Sequence, residues 1–318
     1  MHAARLAHPR SVESLIKGRP TRDGAGVALT RLLQPGSPLA ARLDPFLMLD
    51  AFDSADPAAY VAGFPNHPHR GQETLTLMFA GALRHADNRG GSGVVQAGGA
   101  QFMCAGSGVI HSEIPQQTAG RLAGVQVWIN MPGALKLATP AFYRDVRGEA
   151  MPRLDGLGDG VTARVVLGDP PGRATPPAQP DPALVRPGTA ALVVDVAWGE
   201  GAGGRGGGGP VPVAIPLPAD RNAAVFVVEG CVTVGGEVGG AAVPEKHLAV
   251  LENAAGADGV LLAAAAPARA LVLAGLPLGE PVVAVGPFVV NTEEEAAAAF
   301  ADFRAGRFGG DPPEPPKA

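Results

Sequence analysis

Gln101-Phe102-Met103-Cys104-Ala105-Gly106-Ser107-Gly108-Val109-Ile110-His111-Ser112-Glu113-Ile114 holds two short strand signals, 101–104 and 109–114, split by a glycine turn. Successive side chains of a strand point to opposite faces, so His111 and Glu113, two apart, share one face. Working outward, the same texture repeats. Thr74–Phe79 (TLTLMF) is a β-rich run ending near Gly81, and Asp87–Gly93 (DNRGGSG) is a dense turn cluster. Val94–Gln96 and Val125–Asn130 are further short strands. Strands at this spacing predict a small antiparallel barrel. Upstream, Leu43–Phe52 is strongly apolar and is expected to pack on that barrel.

The rest of the chain repeats the pattern without a clear sequence repeat. Strand signals return at Ala191–Val196, Val211–Ile215, Ala223–Val228, Cys231–Val234, His247–Leu251 and Arg269–Leu273. The sequence therefore predicts an all-β fold of two small antiparallel barrels with a short C-terminal helix. The expected layout is an irregular segment over 1–30, a metal-binding barrel over 31–150, a Pro/Gly/Asp-rich connection over 151–190, and a metal-free barrel over 191–318. Within the last part, 199–210 is a Gly-rich loop and 292–304 a helix. Thr292 or Asn291 is the N-cap, with Glu295 reaching back to close a capping box. Gly306 can end the helix, and the tail PPEPPKA is extended or disordered.

Composition narrows the function. A net charge of −5 over 318 residues, with no long basic cluster, gives no electrostatic basis for direct nucleic-acid binding. Two distant cysteines, Cys104 and Cys231, argue against a disulfide framework and for a reducing, cytoplasmic setting, or the nucleus in a eukaryote. The most apolar stretch, Leu261–Gly275, is broken by Pro267 and Arg269, so no membrane span is expected. Residues 1–12 carry arginines and no acid, which leaves a short organelle-targeting segment as the minor alternative. The oligomeric state is not written in the sequence; a monomer is favoured.

Four of the seven histidines lie between 67 and 111. In extended backbone His67 and His69 face the same way, as His111 and Glu113 do. Two adjacent strands presenting such pairs into a barrel would offer three imidazole nitrogens and one carboxylate oxygen, a set that divalent Fe, Mn, Ni or Zn accepts. Glu73, four residues after His69, is the rival carboxylate; its alternative is a supporting role or an ion pair with Arg70. His85 with Asp87 is either a supporting pair or a local turn contact. Cys104 reads as a small core residue, and His247 stands alone.

Asn66-His67-Pro68-His69-Arg70-Gly71-Gln72-Glu73-Thr74 and Ala105–Pro115 closely resemble the two histidine blocks of the pirin family. Leu43–Asp50, Val127–Pro132 and Gly286–Thr292 are similar to its other conserved stretches, so the resemblance covers about 30–310. It implies two cupin-type (double-stranded β-helix) barrels, the first holding one iron through three histidines and a glutamate at His67, His69, His111 and Glu113, and the second metal-free. Glu113 is thereby preferred to Glu73. Fe(II) leads as the cofactor, with Mn, Ni, Cu and Zn as the other ions. The chain departs from the pattern in the loop 199–210, at Phe102 in place of a tryptophan, and at Gly99 in place of an acid after Gly98.

The resemblance implies two kinds of activity. Some pirins resemble quercetin 2,3-dioxygenase in activity, with O₂ and a small aromatic flavonol as substrates and Glu113, or as the lesser alternative Glu73, as general base. An apolar pocket lined by Phe64, Phe102 and Met103 would suit that ligand. Other pirins are iron-dependent partners of transcription factors or metabolic enzymes. A cupin that stores metal without turnover is the third reading.

Overall fold

The computed structural model describes residues 6–169, 188–200, 202, 212–235, 240–310 and 312. The strands are β1 (Val12–Lys17), β2 (Arg19–Asp23), β3 (Val27–Leu33), β4 (Phe46–Ser54), β5 (Phe64–His69), β6 (Gln72–Ala80), β7 (Ala82–Asp87), β8 (Ser92–Gln96), β9 (Ala100–Cys104), β10 (Val109–Pro115), β11 (Leu122–Asn130) and β12 (Phe142–Val146). They continue as β13 (Val161–Leu167), β14 (Leu192–Trp198), β15 (Val213–Pro216), β16 (Asn222–Glu229), β17 (Cys231–Val234), β18 (Ala241–Pro244), β19 (His247–Leu251), β20 (Gly259–Ala263), β21 (Ala268–Gly275), β22 (Val283–Val285) and β23 (Phe288–Val290). Among the described residues three α-helices accompany them: α1 (Pro38–Arg42), α2 (Gly133–Lys136) and α3 (Glu293–Arg304). No helix is long and apolar enough to cross a membrane among the described residues.

The chain divides into two compact units, residues 19–150 with 278–318, and residues 1–18 with 151–277. In the first, a seven-stranded sheet (β12-β9-β6-β11-β4-β3-β2) accompanies a four-stranded one (β5-β10-β7-β8). The second repeats this plan with a six-stranded sheet (β1-β19-β16-β21-β14-β13) and a four-stranded one (β15-β20-β17-β18). Its interior is apolar, built from β-branched and small residues such as Val194, Val225, Val232, Val260, Val272 and Ala270. In that unit Asp195 takes hydrogen bonds from Arg164 and Arg269, which hold its carboxyl below the usual range against the opposing effect of burial.

Several boundaries differ from the sequence reading. The 1–30 segment is not irregular: it holds β1, β2 and most of β3. β1 alternates half-buried and exposed residues along VESLIK, so its charged face hid its strand character. Leu43–Phe52, expected to pack on the first barrel, is for the most part β4, a strand of that barrel's own sheet. The expected connection 151–190 contains β13, paired with β14 in the second unit. Helix α3 was expected with the second barrel, but it belongs to the first unit. There Ile110, Phe288, Ala299 and Phe308 form a buried cluster, with Phe300 and Phe303 packed against it. That contact joins residues nearly two hundred positions apart, which no local signal encodes. Thr292 is the N-cap, accepting from Glu295 N at 3.2 Å, and the Glu295 carboxylate accepts from Asn291 N at 2.8 Å. Residue 211, the loop residues 203–210, connection residues 170–187 and tail residues 313–318 lie outside the described residues.

The C-terminal segment is stitched into the first unit beside the histidine block. Val289 N donates to Arg70 O at 2.9 Å, and Lys136 Nζ donates to Val289 O at 3.1 Å. Arg70 donates to Ser107 O and Asp302 and lies over the Phe308 ring. The ion pair suggested between Arg70 and Glu73 is replaced by Arg70 with Asp302.

Lys136 is 2% exposed, and burial pushes its ammonium down to about 8 despite the attraction of Glu280, Glu295 and Asp44. Between about pH 8 and 10.5 the unfolded chain therefore binds more protons at this site than the folded one. Stability contributed here rises with pH across that window and is level below it. We expect Lys136→Met to remove that rise, worth about 3 kcal/mol over the window. Urea unfolding at pH 7, 8, 9 and 10 checks it; parallel pH curves for the two proteins would refute it.

Candidate metal centre

β5 and β10 are antiparallel neighbours, with His111 opposite His67 and Val109 opposite His69. A bulge between His111 and Glu113 brings Glu113 opposite Phe64. Both i, i+2 pairs thus come from adjacent strands, and the three imidazoles converge. Their ring centroids lie 4.4 Å (67–111), 4.8 Å (67–69) and 5.1 Å (69–111) apart. One nitrogen from each falls within 4.8 Å of the others. His69 and His111 are buried, and His67 is half-buried.

The hydrogen bonds of these rings leave nitrogens for a cation. His67 Nδ1 lies 2.8 Å from Pro65 O, and His69 Nδ1 lies 3.2 Å from Pro287 O and 2.8 Å from Gln72 Nε2. The Pro65 carbonyl at Nδ1 favours the His67 tautomer whose Nε2 lone pair is available; at His69 Nδ1 the Pro287 carbonyl favours the same tautomer and the Gln72 amide N–H the opposite one. Neither nitrogen of His111 has a hydrogen-bond partner, although the residue is 1% exposed. A buried imidazole without partners is costly unless something ligates it. Burial, and then the neighbouring His67, holds His69 and His111 well below the usual histidine range. They are neutral at pH 7, the protonation state a metal requires. The residues present fit a divalent ion of the Fe, Mn, Ni, Cu or Zn group.

Glu113 is not part of the group of mutually close ligand atoms, which is His67, His69 and His111. It is 4% exposed, and Gln126 Nε2 donates to its two carboxylate oxygens at 3.1 and 3.0 Å. Thr76 Oγ1 adds a longer contact of 3.3 Å. Gln126 is itself oriented by Trp128 Nε1, which donates to its Oε1 at 3.1 Å. The Trp128 ring meets His69 edge to face at 5.0 Å. Glu73 has the opposite strand parity to Thr76 on β6, with no bulge between them, so it belongs to the other face of the sheet.

These groups sit in a polar belt. Cross-strand register aligns Arg31 (β3), Asp50 (β4), Gln126 (β11), Thr76 (β6), Gln101 (β9) and Asp145 (β12) in one row. On the facing sheet Glu113 pairs with His85. His85 does not pair with Asp87: its Nε2 meets Asp145 Oδ2 at 2.9 Å, while Asp87 accepts from the Arg89 and Gly91 amides of the turn. A Cβ at Gly93 would fall 2.0 Å from Asp145 and 2.4 Å from His85, so that pair requires glycine there. The long-range His85–Asp145 contact and the Gln126 anchor gave no local sequence signal. Cys104 is a buried core residue near Met131, and among the described residues the second unit gathers no comparable group.

A cavity of about 770 Å³ opens over the centre. His67, His69, Glu113, Gln126 and Trp128 line one part; Leu29, Met48, Phe52, Phe64 and Leu83 line another. Asp23, Arg31 and Asp50 also reach it, with Ala284, Gly286 and Pro287 from the C-terminal segment. Of the three expected apolar lining residues only Phe64 is there. Met103 is sealed under Ala105, Val109 and Tyr143, and Phe102, of opposite parity to Gln101, packs near Phe142.

Residues 27–129 match the pirin family, and 211–309 match the pirin C-terminal cupin domain. A pirin-like protein of Caulobacter vibrioides is 42% identical over 299 residues, covering 94% of this chain and 99% of that protein. The chain belongs to the pirin family. Mouse pirin is 32% identical over 309 residues, with 96% of each chain covered. The crystal structure of quercetin 2,3-dioxygenase from Acinetobacter baumannii superposes with a TM-score of 0.78 at 29% identity, covering 95% of this pirin and 99% of that chain. The two-barrel cupin reading of this pirin is therefore established, and its histidine blocks fall within the matched 27–129.

Proposed function

We propose that this pirin is a metal-dependent dioxygenase that opens the ring of a flavonol-type substrate with O₂, holding its ion through His67, His69, His111 and Glu113. The observation that carries the proposal is the orphaned, buried His111 ring facing two oriented imidazoles at the floor of an aromatic-walled cavity. Fe(II) is the ion we assign, because Fe is the metal the family resemblance implies; Mn, Ni, Cu or Zn would suit the same donors. A bound ion of this kind supplies Lewis-acid and redox chemistry to a phenolic substrate and O₂.

The chain's own residues perform the remaining tasks. His67 and His69 are fixed by the Pro65 and Pro287 carbonyls. Glu113 is the carboxylate of the set and accepts the substrate hydroxyl proton. Gln126, clamped by Trp128, keeps that carboxylate aimed. Met48, Phe52, Phe64 and Trp128 exclude water from a planar ring. Stable iron-dependent partnership with a regulatory protein is the second reading.

The test is metal analysis of the purified protein together with quercetin-dependent O₂ uptake. Expected are about one ion per chain and an uptake that falls at least about 100-fold in His69→Ala. No uptake with any of the five metals and several flavonols would overturn the dioxygenase reading and favour the partner reading.

A further inference from the structure

At the cavity's far side from the histidines in the polar row, Arg31 is locked by two carboxylates. Its Nε donates to both Asp50 oxygens at 2.9 and 3.2 Å. Its Nη2 donates to Asp50 Oδ2 at 2.6 Å and to Asp23 Oδ2 at 2.8 Å. Asp50 is nearly sealed, at 4% side-chain exposure, so the guanidinium plane cannot swing away without stranding a buried charge. Nη1 alone has no partner among the described residues, and it is not among the buried unpartnered atoms. Beside it, Asp23 is 55% exposed, with Oδ1 held by Gly24 N at 2.8 Å. Arg31 and Asp23 both line the cavity. The cavity thus presents an open donor and an open acceptor, fixed side by side.

Charge decides what suits them. One guanidinium against two carboxylates leaves this corner net negative, which disfavours a carboxylate or phosphate ligand. An ether or a lone carbonyl would satisfy Nη1 and leave Asp23 unused. A vicinal pair of neutral hydroxyls satisfies both: one hydroxyl donates to Asp23, and its neighbour's oxygen accepts from Arg31 Nη1. Two strand spacings, about 10 Å, separate Arg31 from Gln126 at the other polar station. The walls between are Leu29, Met48, Phe52, Phe64 and Trp128, which suit a flat ring system.

We propose that Asp23 and Arg31 form a specificity subsite for an ortho-dihydroxyphenyl group, so that the preferred ligand carries a catechol ring at the end remote from the histidines. The proposal rests on the reading above that this cavity is the ligand site. Calorimetric titration of the protein as purified, with quercetin (catechol ring), kaempferol (one hydroxyl on that ring) and galangin (none), tests it. Wild type is expected to bind quercetin about tenfold more tightly than galangin, with kaempferol between. In Asp23→Asn and Arg31→Lys that ratio is expected to collapse toward one, while galangin affinity holds. Asp23 is exposed, so Asp23→Asn keeps the fold; Arg31→Lys keeps a cation beside Asp50. Chelation of a catechol by a bound ion would not depend on Asp23, so a preference that survives in Asp23→Asn overturns the subsite. Equal binding of the three flavonols by wild type also overturns it and leaves the flavonol reading intact. Should none of the flavonols bind, 4-methylcatechol against 4-methylphenol separates the cases. An Asp23-dependent preference for the catechol keeps the subsite and discards the flavonol reading, and no preference discards both.

Discussion

His111→Ala should abolish the dependence of this pirin's stability on added metal. Binding to the folded state alone adds about 4 kcal/mol when the free ion stands at about 1,000 times its dissociation constant. Wild type should therefore lose a large increment of unfolding free energy when stripped by a chelator and regain it on reloading. The variant should show neither change. Alanine opens a cavity at a 1%-exposed site, but it also removes a ring whose two nitrogens lack partners. These effects oppose each other, so the metal-free proteins should unfold within about 1 kcal/mol of one another. Denaturant titrations with and without chelator measure both quantities. A variant that still gains stability from the ion to the wild-type extent would remove His111 from the centre.

The second large effect is expected at Gly71, immediately after the His67–His69 block. Its φ is +84°, a region that side chains rarely adopt. A Cβ there would lie 1.9 Å from Val289 O, a backbone atom with nowhere to go. Gly71→Ala must therefore lift β23 away from Arg70. That breaks the Val289 N to Arg70 O bond and the Lys136 Nζ to Val289 O bond, and it exposes Phe288, which is fully buried against Phe300 and Phe308. Loss of an aromatic core contact alone costs about 3–5 kcal/mol, and the backbone strain adds about 1–3. We expect a loss of at least about 4 kcal/mol, or local release of the 284–308 segment, with weaker metal retention because Pro287 O no longer holds His69. Hydrogen exchange at Val289 N, with metal content alongside, distinguishes this from a mild surface change. Wild-type protection at Val289 in the variant would contradict the argument.

The histidine pairs were legible for a simple reason. A strand repeats every two residues, so H-x-H and H-x-E each commit two side chains to one face whatever the rest of the fold does. The capping box of α3 was legible on the same local basis. Glu73 shows the limit of spacing alone: it sits near the histidines in sequence, yet its parity relative to Thr76 turns it from the centre. The strands of 1–30 were missed because edge strands with one solvated face carry charge that reads as irregular chain. His85 was given the wrong partner because Asp87 is near in sequence, whereas Asp145 arrives from β12.

Sequence by itself determined the β architecture and the three imidazoles, since both follow from short-range alternation and composition. Tertiary structure alone decided which carbonyls orient the rings, that Gln126 and Trp128 hold Glu113, that Arg31 keeps one open donor beside Asp23, and that the C-terminal helix joins the histidine-bearing barrel. Those choices depend on cross-strand register and on contacts between residues far apart in the chain. Chain closure sets such contacts, and no window of neighbouring residues contains them.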